Sequence, residues 1–386
     1  MIQLNPENMV RIELTPKEQK TLLQHCQAMD SGLYERIQNA QNGIIHLLKE
    51  DCFYLKNLIQ ETFETVKKPK IQTILGTIFN KLASGTNSSS FAEAIHGIDF
   101  DNIEDLNAHL QGIMTDRNNT PDPEMGNLSP NQVSKLIRSS WDSDQFPLKF
   151  DKELKYSDVQ DSKFFINTSI FLNTLIEMDK EPTATAKGNL NRKIVKILFD
   201  RLDLEESYKN DVLEYNKVIN EEDVFSLHII RIVCECAGLI HRRKNKFLMF
   251  KKHQALLSKE KAGELYFLLF NSYFRKFNIS YPDRLPELDS VQHTIAYSIF
   301  RLKEIADNCI NLEGITEQIL LPAVVDEVRA TLSKYVFIEW LIASRIINPL
   351  RDLGLLECNY TGKDMDMELR QLKKTKLFDK FITVRW

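Results

Sequence analysis

The chain has 386 residues, of which 43% are hydrophobic and 27% charged, and a formal net charge of −4. Such a chain is too long for one ordinary domain and too apolar to be disordered or fibrous, so two or three packed domains are expected. The mildly acidic balance excludes a chain that lives on nucleic-acid phosphates over its whole surface, and any such contact has to be local.

The first residues, Met1-Ile2-Gln3-Leu4-Asn5-Pro6, carry neither a basic start nor an apolar run, so no signal peptide is expected. No apolar run reaches the length of a membrane span, and no membrane partner is expected. The six cysteines are scattered at Cys26, Cys52, Cys234, Cys236, Cys309 and Cys358. That spacing is no disulfide framework, so no disulfide-linked partner is expected, and it suits a reducing cytoplasm. Cys234 and Cys236 are read as packed thiols, because helical neighbours two apart do not share a face.

In chain order, Met9 to Leu14 alternates as a short strand, and Thr15-Pro16-Lys17-Glu18 opens a helix with a capping box. Gly43 to Leu48 reads as a second strand. Helical spacing of apolar residues follows over Glu50 to Lys67 and Ile71 to Leu82. Residues 1–84 are therefore expected to form a helical α+β domain. Ser84 to Ser90 reads as a polar break, and 85–128 as an acidic helical linker, with a net charge of −7 between Phe91 and Asn127. Ser129-Pro130-Asn131-Gln132 is a second capping box, and Trp141 reads as a core anchor.

From Asp161 the order is helix, short strand, helix, helix, strand, strand. The helices are Asp161 to Met178, Leu190 to Leu202 and Glu222 to Cys236. Thr183 to Ala186 is placed to pair with a ribbon whose arms start at Ala237-Gly238-Leu239-Ile240 and Lys246. That is the winged-helix order, expected over 129–260. Phe267, Phe270, Phe274 and Phe277 form a stripe that reads as core. Helices follow over Ser290 to Ala306, Pro322 to Leu332 and Phe337 to Asp352, the last bent or ended by Pro349. Leu353-Gly354-Leu355-Leu356 then echoes Ala237-Gly238-Leu239-Ile240, so a second winged-helix-like unit is expected over 261–386. The expected fold class is mainly α with minor β, multi-domain.

Three stretches resemble an uncharacterised bacterial family associated with plasmid pRiA4b ORF-3-like proteins. They are Leu14 to Glu18 with the helices ending near Leu82, Asn119 to Val133, and Thr183 to Leu190 with Ala237 to Ile240 behind. The resemblance implies a bacterial, cytoplasmic, modular protein and no chemistry.

Catalytic signatures are absent from the sequence. There is no Gly-rich phosphate loop, no Gly-x-Ser-x-Gly and no His-Glu-x-x-His, so no catalytic residue, metal or cofactor is expected and the chain is read as no enzyme. His25 beside Cys26 points apart on a helix. Asp364, Asp366 and Glu368 share one face of a strand and read as a solvated ribbon. The acid-free stretch from Ala237 to Lys259 holds Arg242, Arg243, Lys244, Lys246, Lys251, Lys252 and Lys259. Its tip is where a wing meets a phosphate backbone. Arg192, Lys193 and Lys196 on the Leu190 to Leu202 helix are further phosphate candidates.

The helix before the ribbon is apolar and starts with acids, unlike a groove-reading helix. The second ribbon is acidic, with a net charge of −2 from Glu357 to Arg370. Three readings stay open: weak binding of DNA or RNA through the first ribbon, a scaffold that docks proteins through the acidic 91–127 region and the second ribbon, and, as a minor alternative, an enzyme of unknown class.

Overall fold

The computed structural model describes residues 9–26, 29, 31–40, 43–87, 103–178, 183–333, 336–361 and 368–386. Helices dominate, and the strands form small antiparallel sheets. The chain divides into two compact units, Met1–Ile113 and Met114–Trp386.

In the first unit, β1 (Met9–Glu13) pairs antiparallel with β2 (Ile44–Leu48), with Ile12 opposite Ile45. The Pro16–His25 helix starts as its residues dictate. The Glu18 amide donates to Thr15 Oγ1, and the Thr15 amide donates to the Glu18 carboxylate at 2.7 Å. Lys81, on the Pro69–Asn87 helix, closes on the same carboxylate at 2.8 Å. Leu22, Leu55, Ile59 and Ile78 make the core between these helices. The Pro69–Asn87 helix runs through the polar break expected at Ser84, and residues 88–102 lie outside the described residues.

The second unit carries β3 (Leu148–Phe150), β4 (Ile240–Arg243), β5 (Lys246–Met249), β6 (Ile310–Asn311), β7 (Leu356–Thr361), β8 (Glu368–Lys374) and β9 (Ile382–Val384). Residues 129–260 and 261–386, expected as two domains, share one hydrophobic core. The physical reason is twofold. Strand β3 pairs with β9, placing Phe150 opposite Ile382. The aromatic stripe of the Ala262–Arg275 helix serves both sides, with Phe270 lying 5.6 Å from Trp141 and 5.0 Å from Phe381 between ring centroids.

The echo between the two ribbons is geometric as well as sequential. Gly238 and Gly354 both take left-handed φ, +68° and +79°. Each ends a helix, with Leu239 N–H donating to Cys234 O at 3.0 Å and Leu355 N–H to Leu350 O at 2.8 Å. In each copy the next strand returns to the residue after the glycine, Phe250 to Leu239 and Thr375 to Leu355, both at 2.9 Å. Thr183 bridges Lys246 in β5, as expected, and β6 pairs with β8 in the second copy. An earlier segment thus joins the second arm of each ribbon.

Pro349 stands in the first turn of an α-helical piece, Asn348–Asp352, which a wider π-helical turn, Ala343–Ile347, separates from Ile338–Ile342, so the helix continues past it. Such a turn accommodates a residue that lacks an amide donor. It also carries Arg345, fully buried, whose guanidinium grips Asp283 at 2.7 and 3.0 Å and anchors the loop between residues 279 and 288.

Candidate functional site

The first ribbon is a two-residue hairpin. Lys244 and Asn245 both have positive φ, +49° and +60°, as a type I′ turn requires. Asn245 is locked from outside the ribbon, because its carbonyl accepts from the Ala184 amide and its side chain donates back to Ala184 O, each at 2.8 Å. Alternation splits the strands: Ile240, Phe247 and Met249 are buried, while Arg242, Arg243 and Lys244 are exposed. Lys246 is half-buried. Among the described residues none of these four cations has an ion-pair partner.

The other candidates sort by position. Arg192, Lys193 and Lys196 lie on the exposed side of the Arg192–Arg201 helix, opposite the buried Ile194, Val195 and Leu198. Its cap, Asn191, bonds Thr183 Oγ1 at 2.6 Å, and Thr183 in turn bridges Lys246. The start of that helix is therefore tied to the tip of the ribbon. Arg192 donates to Asn220 at 2.9 Å. Lys251 and Lys252 are exposed but begin the Lys251–Leu257 turn at the base of the ribbon. Four strand residues separate base from tip, roughly 13 Å, so the fold does not gather these two lysines with the tip. Lys187 was missed in the sequence reading. It is exposed in the turn between Thr185 and Gly188, whose Gly188 lies against Arg242. Its signal was its place in the turn that follows the bridging segment at Thr183.

The Phe225–Cys236 helix is unavailable for reading bases. Leu227, His228, Ile229, Ile230, Arg231, Val233 and Cys234 are all buried, and the helix packs against the Lys163–Glu177 and Ala262–Arg275 helices. Its polar residues form a closed network instead. Glu221 is fully buried and receives the Leu190 amide, His228 Nδ1 at 2.6 Å and Arg231 Nε at 2.7 Å. His228 Nε2 meets the Tyr281 hydroxyl at 2.8 Å, and Arg231 also reaches Glu235 at 2.6 Å. Burial by itself would raise the Glu221 pKa, but His228, Arg231 and the Leu190 amide outweigh it and hold the carboxyl below its ordinary value. The network sits under the ribbon, with the Arg231 guanidinium 5.8 Å from the centre of the buried Phe247 ring.

A second feature is a cleft of about 1290 Å³ between the Lys163–Glu177 helix, the start of the Phe225–Cys236 helix, the Asn348–Asp352 turn and β7. Ion pairs line it, Lys163 to Glu205 at 2.7 Å and Arg351 to Asp352 at 2.7 Å. Lys163 holds Glu205 below its ordinary pKa. Desolvation in the cleft raises Asp352 against the pull of Arg351. Burial pushes the Tyr360 hydroxyl up to about 12 and the Cys358 thiol up to about 11. Arg351 reaches the Tyr360 hydroxyl, which donates to Asn348 Oδ1 at 3.0 Å.

Among the described residues no group of three or more His, Cys, Asp and Glu side chains is arranged to hold a metal, and no helix is long and apolar enough to cross a membrane. All six cysteines are free. Residues 364–367, part of the acidic, methionine-bearing stretch read from the sequence as a solvated ribbon, lie outside the described residues.

The model of one protein family, described as the Y4jL N-terminal domain, matches residues 162–262. The match begins at the cap of the Lys163–Glu177 helix and ends at the first residue of the Ala262–Arg275 helix, so it frames the ribbon unit whole. It overlaps the third stretch of the resemblance noted from the sequence and neither of the first two. No curated protein and no solved structure matches the chain.

Proposed function

We propose that residues 162–262 are a winged-helix module that grips the phosphate backbone of DNA or RNA through its wing. The observation that carries the reading is the tip itself. Arg242, Arg243 and Lys244 project from a locked hairpin turn, and no carboxylate among the described residues pairs with them. Lys246, Lys187 and the start of the Arg192–Arg201 helix, with Arg192, Lys193 and Lys196, extend the same basic surface. Because the preceding helix is buried, the contact is to phosphate and not to base edges, so affinity is weak and insensitive to sequence. The reading assigns no catalytic step, cofactor or metal, and gives the chain an accessory or regulatory role. We place it in the bacterial cytoplasm, among uncharacterised modular proteins of the plasmid ORF-3-associated kind, a setting with which its free thiols agree.

The test is a mobility shift against mixed DNA and RNA. Native protein retards the probe, and affinity falls steeply between about 50 and 200 mM salt. Replacing Arg242→Glu and Arg243→Glu together abolishes the shift. Undiminished retention by that double variant would remove the reading.

A further inference from the structure

We propose that Tyr281 is an activated nucleophile, with His228 as its general base, and that its substrate is a phosphodiester of the nucleic-acid backbone. The activation stands on geometry alone. The choice of substrate rests on the wing reading, which itself assigns no chemistry.

Glu221, His228 and Tyr281 stand in series, with the carboxylate 2.6 Å from Nδ1 and the phenol oxygen 2.8 Å from Nε2. An ionised carboxylate only accepts hydrogen bonds, so Nδ1 carries the ring proton. Neutral His228 then presents a lone pair at Nε2, and the Tyr281 hydroxyl donates into it. The serine of a hydrolytic triad stands in the same relation to its histidine and carboxylate. Two carboxylates, Glu221 and Glu235, face the one guanidinium of Arg231 in this network. Their excess negative charge favours the imidazolium that forms when His228 takes the phenol proton.

Burial separates the roles. Glu221 is 0% exposed and His228 6%, whereas Tyr281 is 50% exposed. The base is shielded from water, and the residue it serves stands at the surface. The loop that carries Tyr281 is fixed before and after it. The Ser280 amide donates to Asn278 Oδ1 at 2.9 Å. Buried Arg345 grips Asp283 and also donates to Pro286 O at 2.9 Å. A reactive oxygen needs such support to keep its angle to a base.

Cations flank the hydroxyl. Arg284, in the same loop, has a φ of +57°, which is uncommon for a residue with a side chain. It is exposed and makes no ion pair among the described residues. Three positions of chain put it at most about 11 Å from Tyr281 between Cα atoms. Toward the wing, Glu221 also receives the Leu190 amide, and Arg192 donates to Asn220, the neighbour of Glu221. Three hydrogen bonds in series thus lead from the Tyr281 hydroxyl to the start of the Arg192–Arg201 helix. Tyr281 therefore borders the basic surface, with Arg192 and Arg284 placed to offset phosphate charge.

In the reaction the Tyr281 oxygen bonds to phosphorus as its proton passes to His228 Nε2. One ester bond from phosphorus to oxygen breaks, and the departing oxygen takes a proton from solvent. His228 then returns its own proton to solvent. The products are a phosphotyrosyl ester and a free hydroxyl end.

Two measurements on the full chain test this. An aryl sulfonyl fluoride bonds its sulfur to a phenol oxygen with loss of fluoride, and mass spectrometry maps the labelled residues. Tyr281 should label about tenfold faster than Tyr215, although Tyr215 is 71% exposed. His228→Gln should slow Tyr281 to the rate of Tyr215. Next, native protein is incubated with mixed DNA and RNA oligonucleotides and run on a denaturing gel. A covalent adduct is expected, and none with Tyr281→Phe. Equal labelling of Tyr281 and Tyr215 overturns the proposal whatever the nucleic acid does. Native protein that retards the probe in a mobility shift but forms no adduct also overturns it and leaves the wing reading standing. Absence of retardation removes the wing reading and the substrate with it. Should His228→Gln fail to fold, the two labelling rates on native protein decide.

Discussion

The guanidinium of Arg242 lies over Gly188, with Nη1 only 2.7 Å from where a Cβ on residue 188 would stand. The ribbon and the turn that precedes the Arg192–Arg201 helix therefore share one position for one cation. Gly188 has a φ of +88°, a conformation costly for any residue with a Cβ.

Gly188→Ala is expected to cost about 1–2 kcal/mol of stability through that backbone strain. It also displaces Arg242, because the clash falls on the end of a flexible side chain. Urea unfolding reads the first effect and a mobility shift the second. An unchanged midpoint together with unchanged binding would show that the contact fixes neither.

Lys244→Gly separates charge from fold. Lys244 has a φ of +49°, so glycine is expected to stabilise the hairpin by up to about 1 kcal/mol. If the wing grips phosphate as proposed, the same change removes one such contact, and the slope of log affinity against log salt should become shallower by about one. A slope equal to that of the native protein would mean that Lys244 touches no phosphate.

Glu221 gives a pH dependence whose sign follows from its lowered pKa. Its carboxyl titrates below the ordinary 4.5 in the folded protein. Its contribution to stability is thus fully present above about 4.5 and is lost as pH falls through the folded value. Glu221→Gln leaves Arg231 buried without its main counter-charge and is expected to cost about 3–5 kcal/mol, with less acid sensitivity remaining. Urea midpoints at several pH values check both statements. A variant as stable as native at neutral pH would contradict them.

Phe270→Ala tests the shared core. Large-to-small substitution at a fully buried phenylalanine costs about 3–5 kcal/mol. Because Phe270 touches Trp141 on one side and Phe381 on the other, residues 129–260 and 261–386 should lose stability together. Probes on Trp141 and Trp386 should report one transition. Two separated transitions would restore the division into two domains.

Local chemistry was legible wherever a few neighbouring residues decide it. The capping boxes at Thr15 and Ser129 form with the partners that their spacing names. The ribbon, the turn at Lys244-Asn245, the bridging segment at Thr183 and the paired glycines at 238 and 354 lie where alternation and turn chemistry put them. The arginines at the tip are not drawn into a helix, and no described acid pairs with them.

What pattern could not supply was which surfaces meet. Glu221 and His228 are near in the chain, but Leu190 reaches Glu221 from 31 residues away and Tyr281 reaches His228 from 53, and no spacing rule joins them. The cleft gathers Lys163, Glu205, Arg351 and β7 from opposite ends of the second unit. Periodicity, caps and glycines act within a turn or two of chain, so the sequence by itself determined the elements and the cationic hairpin. Burial depends on contacts between residues many turns of chain apart, the Phe225–Cys236 helix against the Lys163–Glu177 and Ala262–Arg275 helices, and Phe270 against Trp141 and Phe381. Only the tertiary structure therefore decided that the helix before the ribbon is covered and that two expected domains share one core.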